Sequence, residues 1–319
     1  MASIPDLPPP PSLEELQAIA KQIDKCAHSD TKIEEITKLV AEFTIGHYFP
    51  FPRFPTGWNF YRARTLPEPK RPENISEIGI PPREFCRAFQ RCNRPGLPMF
   101  YCSDHPSAPL QEVHARVGDH VVLSRWTNTK PLLVAHTGYS ESTFRRLKAA
   151  RRVPDWTQGQ AELPESHRPQ HDFVNTYLSE LFSQEVPEGY EGLYKPSIAI
   201  TERFIGVKGV GPLVGNDDLT IEGIMYPTVS LRASCENLAL TEEFATAGLK
   251  LLEACFVRIV EADDRKGYTF DVLFFAKEVS QDGTLNWLLP RPLKSTWEYS
   301  QTFPTWFNNT VSDILGKSK

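Results

Sequence analysis

The sequence predicts an α+β fold, in which helices are grouped outside a mostly antiparallel sheet. Apolar residues recur at helical spacing in three stretches, 13–23, 33–43 and 173–182. Two runs rich in β-branched and aromatic residues, 254–262 and 268–276, flank the turn sequence DDRKG, which is typical of an antiparallel hairpin. There is no internal repeat, and the 28 prolines fall mostly in connecting segments, so we expect long loops.

The N-terminal part, residues 1–55, is predicted to be a proline-rich lead followed by a helical hairpin. Ser12 and Glu15 match a capping box, in which each side chain bonds the backbone N–H of the other residue. Thr31 and Glu34 repeat this signal at the start of the second helix. We interpret the hairpin as a packing element or a dimerisation arm.

The remaining elements follow from the same two periodicities. Strands are predicted at residues 58–64, 98–102, 120–126, 131–136, 223–230, 235–240 and 285–288. Helices are predicted at residues 141–152, 171–184, 190–205 and 242–247, with a helical segment in the tail at 302–315. The basic helix 141–152 is interpreted as a solvated face, and the glycine-rich stretch 206–215 as a connector, because its spacing fits no phosphate-loop motif.

The composition is that of a globular protein of 319 residues, with 40% hydrophobic and 24% charged residues. A formal net charge of −5 argues against a nucleic-acid-binding surface. No apolar stretch approaches the roughly 20 residues that a membrane span needs, and the N-terminus lacks the pattern of a secretory signal. None of the six cysteines forms a CxxC pair, which favours free thiols. We therefore predict a cytoplasmic protein without a membrane or nucleic-acid partner.

The most informative stretch is residues 91–113, where a polar loop, a short strand and a helical segment follow one another. Binding and catalytic groups are commonly mounted at such junctions. The guanidinium of Arg91 or Arg94 can hold phosphate bidentately, and Tyr101 offers a stacking face. Glu112 offers a carboxylate that can stabilise positive charge. The sequence has no HExxH motif and no Cys/His set at zinc spacing, so we expect no metal site.

Five short motifs between residues 58 and 240 resemble, in order and spacing, those of the RES family, which is named for its arginine, glutamate and serine. They are Phe60-Tyr61-Arg62; residues 91–98, RCNRPGLP; Phe100-Tyr101; residues 108–112, APLQE; and residues 223–228, GIMYPT. The chain departs from the family pattern at Cys92, where an aromatic residue is usual, and at Thr228, which stands at the family serine.

The resemblance implies the split, strongly bent antiparallel sheet of ADP-ribosyltransferase-like folds, with a cleft for a dinucleotide. It implies that NAD is consumed as a substrate, and that no separate cofactor is needed. The RES-like domain would span residues 56–290, including the C-terminal hairpin, followed by a tail at 291–319. Because many family members are toxins, an antitoxin-like protein inhibitor is an expected partner. The hairpin, interpreted as a dimerisation arm, predicts a second copy of the chain as another partner.

Carried over residue by residue, the resemblance assigns catalytic roles to Glu112, Arg62 and Tyr101. It assigns NAD binding to Arg62, Arg91, Asn93, Tyr61 and Thr228. For each assignment, the residues also allow a different role. Arg62 could form a structural ion pair, Arg94 could replace Arg91 as the phosphate clamp, and Tyr101 could belong to the core. Glu112, near a predicted helix start, could be favoured there by the helix dipole alone.

The predicted function is cleavage of the nicotinamide–ribose bond of NAD by a glycohydrolase or phosphorylase, in a toxin-like effector. The nicotinamide leaves without acid catalysis, and a carboxylate beside the ribose, Glu112, would stabilise the oxocarbenium character that develops. One alternative is a macromolecular ADP-ribosyltransferase, with the basic residues 145–152 holding the target. The other is a non-catalytic nucleotide-binding or interaction module, with the helical hairpin as its contact.

Overall fold

The computed structural model of the chain describes residues 8–106, 108–146, 148, 163–206, 219–228, 235–263 and 267–289. Its helices are α1 (Leu13–Ala27), α2 (Ile33–Thr44), α3 (Ala108–Glu112), α4 (Glu141–Arg146), α5 (Arg168–Ser183), α6 (Lys195–Phe204) and α7 (Glu242–Gly248). Its strands are β1 (Arg53–Phe54), β2 (Asn59–Leu66), β3 (Phe100–Ser103), β4 (His120–Asn128), β5 (Leu132–His136), β6 (Ile221–Pro227), β7 (Glu236–Leu240), β8 (Leu249–Asp263), β9 (Gly267–Val279) and β10 (Leu285–Leu288).

The strands form one mixed sheet in the order β1-β5-β6-β7-β3-β2-β4-β8-β9-β10. Neighbouring strands run antiparallel except β5 and β6, which are parallel. A parallel pair needs a long crossover connection, and here it contains α4, α5 and α6. The α+β class is therefore confirmed, with a sheet that is mostly but not wholly antiparallel.

The sheet is nearly interrupted between β2 and β3, which pair only through Tyr61 and Ser103. By contrast, all eight residues of β2 pair with β4, and all four residues of β3 pair with β7. We call this interruption the seam. It separates a first half (β1, β5, β6, β7 and β3) from a second half (β2, β4, β8, β9 and β10).

The N-terminal hairpin packs on the first half of the sheet. Buried side chains of α1 and α2 share one apolar cluster with those of α5, α6 and β6. Phe43 of α2, for example, meets the ring of Tyr177 of α5 edge-on, with centroids 5.1 Å apart. Within the described residues, no helix is both long and apolar enough to cross a bilayer.

The two predicted capping boxes of the hairpin have different outcomes. At α1 the prediction is confirmed, because Ser12 Oγ accepts from the Glu15 N–H and Glu15 Oε2 accepts from the Ser12 N–H at 2.8 Å. At α2 it is wrong. The N-cap is Lys32, one residue later than the motif requires, and the Thr31 hydroxyl bonds Ser29 instead.

Other element boundaries differ from the sequence prediction for local reasons. The predicted helix 190–205 is a 3-10 turn, Glu191–Tyr194, followed by α6, which begins beside Pro196 because proline suits a helix start. The hairpin of β8 and β9 is confirmed and is longer than predicted. Residues 149–152, the connector 207–215 and the tail 302–315 lie outside the described residues.

Candidate functional site

A cavity of about 680 Å³ lies at the seam. Both residues of the single cross-seam pair, Tyr61 and Ser103, are on its wall. The rest of the wall comes from β2, β3, α3, the loop before β3 and segments of the first half. A volume of this size is typical of small-molecule sites. The sheet thus leaves an opening where its two halves meet, and sequence-predicted site residues from both sides converge there.

A row of polar side chains crosses the seam on one face of the sheet. Successive strand pairs align them in the order Tyr226, Asn237, Ser103, Tyr61, Arg125 and Glu253. Paired residues of neighbouring strands point to the same face. Ser103 Oγ donates to Asn237 Oδ1 at 2.7 Å, and both side chains are buried. The first four residues line the cavity, so its floor is polar and fixed by strand register.

Arg91 lies on the wall and is held by the end of α5. Its Nη1 donates to the carbonyl of Phe182 at 2.7 Å, and its Nη2 donates to that of Gln184 at 3.1 Å. The last carbonyls of a helix lack intrahelical partners and attract cations. The guanidinium also lies 5.6 Å from the ring centroid of Tyr194 and 5.9 Å from that of Tyr226. Arg91 therefore presents a fixed positive charge to the cavity.

Arg62 lines the cavity at the seam itself. Its Nη1 donates to the carbonyl of Tyr101 at 2.6 Å, and its Nε donates to that of Ile78 at 3.3 Å. Its guanidinium carbon lies 4.9 Å from the centroid of the Phe100 ring. Burial, reinforced by the nearby charge of Arg64, lowers the pKa of Arg62 to about 10. The alternative of a structural ion pair is not found, since no described carboxylate pairs with it.

The hydroxyl of Tyr101 forms its hydrogen bonds with other groups of the protein. It accepts from the Cys92 N–H at 3.0 Å and donates to Asn93 Oδ1 at 2.7 Å. Burial raises the pKa of Tyr101 well above its usual value. Asn93 is only 3% exposed and is not on the described wall of the cavity. The structure thus gives Asn93 a role in holding the loop against β3, while Tyr101 remains on the wall.

Arg94, the alternative clamp, does not reach the cavity wall. Its guanidinium pairs with Glu34 of α2 at 2.5 Å and with Glu202 of α6. Both carboxylates raise the pKa of Arg94. Arg94 thus joins the hairpin to α6, and Arg91 is the arginine of this loop that faces the cavity.

Thr228 is not brought to the described wall. Its side chain is fully buried, and its hydroxyl donates to the carbonyl of Cys235 at 2.9 Å. Its own N–H donates to the same carbonyl at 3.1 Å. The hydroxyl thus joins the residue after β6 to the residue before β7, and its predicted contact with a ribose or phosphate oxygen stays a prediction.

Glu112 is exposed and lies on the cavity wall. It is the last residue of α3, so the prediction that it stands near a helix start is wrong. A helix dipole disfavours a carboxylate at this end and does not explain its position. His114 follows at φ 48°, in the left-handed region that side chains other than glycine seldom adopt. Both residues line the cavity.

Sequence reasoning missed Arg64, Ser103 and Asn237 on the wall. Arg64 could have been found, because it follows Arg62 by two residues on the same strand and therefore shares its face. Ser103 and Asn237 are 134 residues apart and meet only through the pairing of β3 with β7. No local signal in the sequence predicts that contact.

The described wall includes three arginines, Arg62, Arg64 and Arg91, and one acidic residue, Glu112. None of these arginines is neutralised by an ion pair with a described residue. The wall also includes four tyrosines, which offer flat faces to a ring. The site thus suits an anionic ligand with a planar group. Comparison with known proteins finds no family model, curated protein or solved structure that matches the chain.

Proposed function

We propose that the protein binds NAD in the seam cavity and cleaves its nicotinamide–ribose bond, as the resemblance to the RES family implies. The observation that carries this proposal is the charge pattern of the wall. Arg62, Arg64 and Arg91, which form no ion pair with a described residue, line the same cavity of about 680 Å³ as Glu112, the one acidic residue of its described wall. A dinucleotide has a doubly charged pyrophosphate and a ribose that becomes cationic during cleavage, and it matches both features.

The seam supports the finer fold assignment. A sheet whose halves are joined through one residue pair fits the split sheet of ADP-ribosyltransferase-like folds. In such an arrangement the ligand would lie where strand pairing stops. The polar row on the cavity floor would then contact ribose hydroxyls or the carboxamide through Ser103, Asn237 and Tyr61.

In the proposed reaction the bond between ribose C1′ and the nicotinamide nitrogen breaks heterolytically. The electron pair leaves with the nicotinamide nitrogen, whose positive charge is thereby neutralised. Glu112 stabilises the oxocarbenium character that develops on the ribose. An oxygen of water or inorganic phosphate then bonds to C1′, and the proton of the acceptor passes to solvent. Arg62 and Arg91 hold the pyrophosphate, since planar guanidinium groups match phosphate oxygens.

The site roles proposed for Tyr101, Asn93 and Thr228 differ from those that the resemblance implies. Tyr101 contributes its ring to the wall, because its hydroxyl is already bonded. Asn93 holds the loop before β3, and Thr228 joins the residue after β6 to the residue before β7. An antitoxin-like inhibitor remains part of the proposal through the resemblance alone. The proposed cytoplasmic location rests on the composition and the cysteine pattern, and the proposed homodimer rests on the N-terminal hairpin.

The experiment is to incubate the purified protein with NAD, with and without phosphate, and to follow nicotinamide release. Glu112→Gln is expected to lower turnover by roughly 10²–10³-fold. Glu35→Gln, at an exposed position of α2, is the matched control and should leave turnover unchanged. Absence of release by the unaltered protein, or equal turnover in both variants, would overturn the proposal.

Two further outcomes identify the alternatives. Transfer of label from NAD to protein or nucleic acid would indicate a macromolecular ADP-ribosyltransferase. Tight NAD binding by calorimetry without turnover would indicate a non-catalytic module. In either case Arg91→Met should weaken NAD binding, because the same cavity is used.

A further inference from the structure

Arg64, which lines the cavity, carries a buried hydrogen-bond donor that lacks a described acceptor. It follows Arg62 by two residues on β2, so both side chains leave the same face of the strand. Its Nη1 is buried and has no hydrogen-bond partner among the described residues. Burial lowers the pKa of Arg64. A buried donor without an acceptor is unfavourable, and in folded proteins it commonly marks a place for an ion, a water or a ligand.

The nearest acidic group does not satisfy Arg64. Glu77 raises the pKa of Arg64 through its charge, but it forms no ion pair with this arginine. Glu77 Oε1 instead accepts from the backbone N–H groups of Glu73 at 2.7 Å and Asn74 at 2.9 Å. Its carboxylate is therefore used to cap the 3-10 turn Ile75–Glu77.

The neighbouring cation, Arg62, adds electrostatic repulsion to the unfavourable burial of Arg64. The charge of Arg64 lowers the pKa of Arg62, so the two guanidinium groups are close enough to repel each other. Arg62 cannot turn away without losing its bonds to the carbonyls of Tyr101 and Ile78. Two adjacent, partly buried cations that form no ion pair with a described carboxylate favour the entry of an anion.

We propose that Arg62 and Arg64 form a subsite for a phosphate or pyrophosphate group, in which Arg64 makes the direct contact. Arg62 is the fixed member of the pair and Arg64 is the one with an open donor. A phosphoryl oxygen accepts the Nη1 proton, and its negative charge offsets the repulsion between the two cations. The subsite deepens the proposed function and rests on it for the identity of the natural ligand, but inorganic probes can test it separately.

The test is calorimetric titration of the full chain with inorganic pyrophosphate and, separately, with ADP-ribose. Arg64→Met keeps much of the side-chain volume and removes the charge, and it should weaken pyrophosphate binding by roughly 10- to 100-fold. Arg64→Lys keeps the charge without the planar donor pair and should show a smaller loss. Arg258→Met is the matched control, since Arg258 is on β8, is exposed and pairs with Asp271.

Each outcome decides the subsite and the proposed function separately. Weaker pyrophosphate binding in Arg64→Met, together with no NAD cleavage by the unaltered protein, would keep the subsite and overturn the proposed function. Unchanged pyrophosphate binding and an unchanged KM for NAD in Arg64→Met would overturn the subsite and leave the function. If Arg64→Met does not fold, unchanged pyrophosphate affinity in Arg64→Lys would likewise count against the subsite.

Discussion

Replacing Tyr101 with phenylalanine tests whether its hydroxyl supports the fold or the chemistry. The change removes one oxygen, which now accepts from the Cys92 N–H at 3.0 Å and donates to Asn93 Oδ1 at 2.7 Å. Asn93 is only 3% exposed, so water cannot readily replace the lost partner. Each buried group left unsatisfied costs about 1–3 kcal/mol. With two such groups we expect Tyr101→Phe to lower the free energy of unfolding by about 2–6 kcal/mol.

The assay is urea denaturation at constant pH, with the slope m compared to confirm that only stability has changed. Asn93→Ala and the double variant complete a cycle, and the coupling between the two side chains should be about 1–2 kcal/mol. Tyr190→Phe is a suitable control, because Tyr190 is 65% exposed and should show almost no effect.

The outcome for turnover is equally specific. If the hydroxyl only holds the loop, NAD cleavage by folded Tyr101→Phe should stay within a few-fold of the unaltered protein. Unchanged stability together with lost turnover would refute this reasoning and would indicate that the hydroxyl takes part in the reaction.

Two further predictions use the same denaturation assay. His47 is 7% exposed, and burial lowers its pKa from 6.5 to about 4, so the unfolded chain binds this proton more readily. Stability should therefore fall by up to about 3 kcal/mol as pH drops from 6.5 to 4, and His47→Gln should flatten this dependence; an equally steep profile in the variant would contradict the assignment. Thr228→Ser should keep the bond to the Cys235 carbonyl and match the unaltered stability, whereas Thr228→Val should lose about 1 kcal/mol. Equal stability of the two Thr228 variants would show that this hydrogen bond does not stabilise the fold.

Local sequence signals predicted local structure well. The capping box of Ser12 and Glu15 is formed, and the two runs on either side of DDRKG pair as β8 and β9. Each signal depends on groups that are neighbours in the chain. The second capping box failed because Thr31 had another local partner, Ser29, whose hydroxyl is 2.7 Å away. A motif of four residues cannot show which of two nearby partners a hydroxyl will choose.

The candidate site was predicted less completely, because its geometry depends on distant partners. Arg91 and Arg94 look equivalent in the sequence, yet Glu202 of α6 draws Arg94 away while the end of α5 holds Arg91 at the cavity. The hydroxyl of Thr228 is predicted to contact the ligand, and its described partner is the carbonyl of Cys235. These distinctions require the positions of elements that the linear sequence does not place.

Within the described strands, the chain crosses the seam five times: between β1 and β2, β2 and β3, β3 and β4, β4 and β5, and β7 and β8. No contiguous fragment therefore contains one complete half of the sheet by itself. Because the chain alternates between the two halves, truncation cannot isolate either half. For the same reason, no single contiguous segment that could be moved to another protein contains the whole cavity. A molecule bound there would hold together segments remote in sequence and should slow amide exchange on both sides at once.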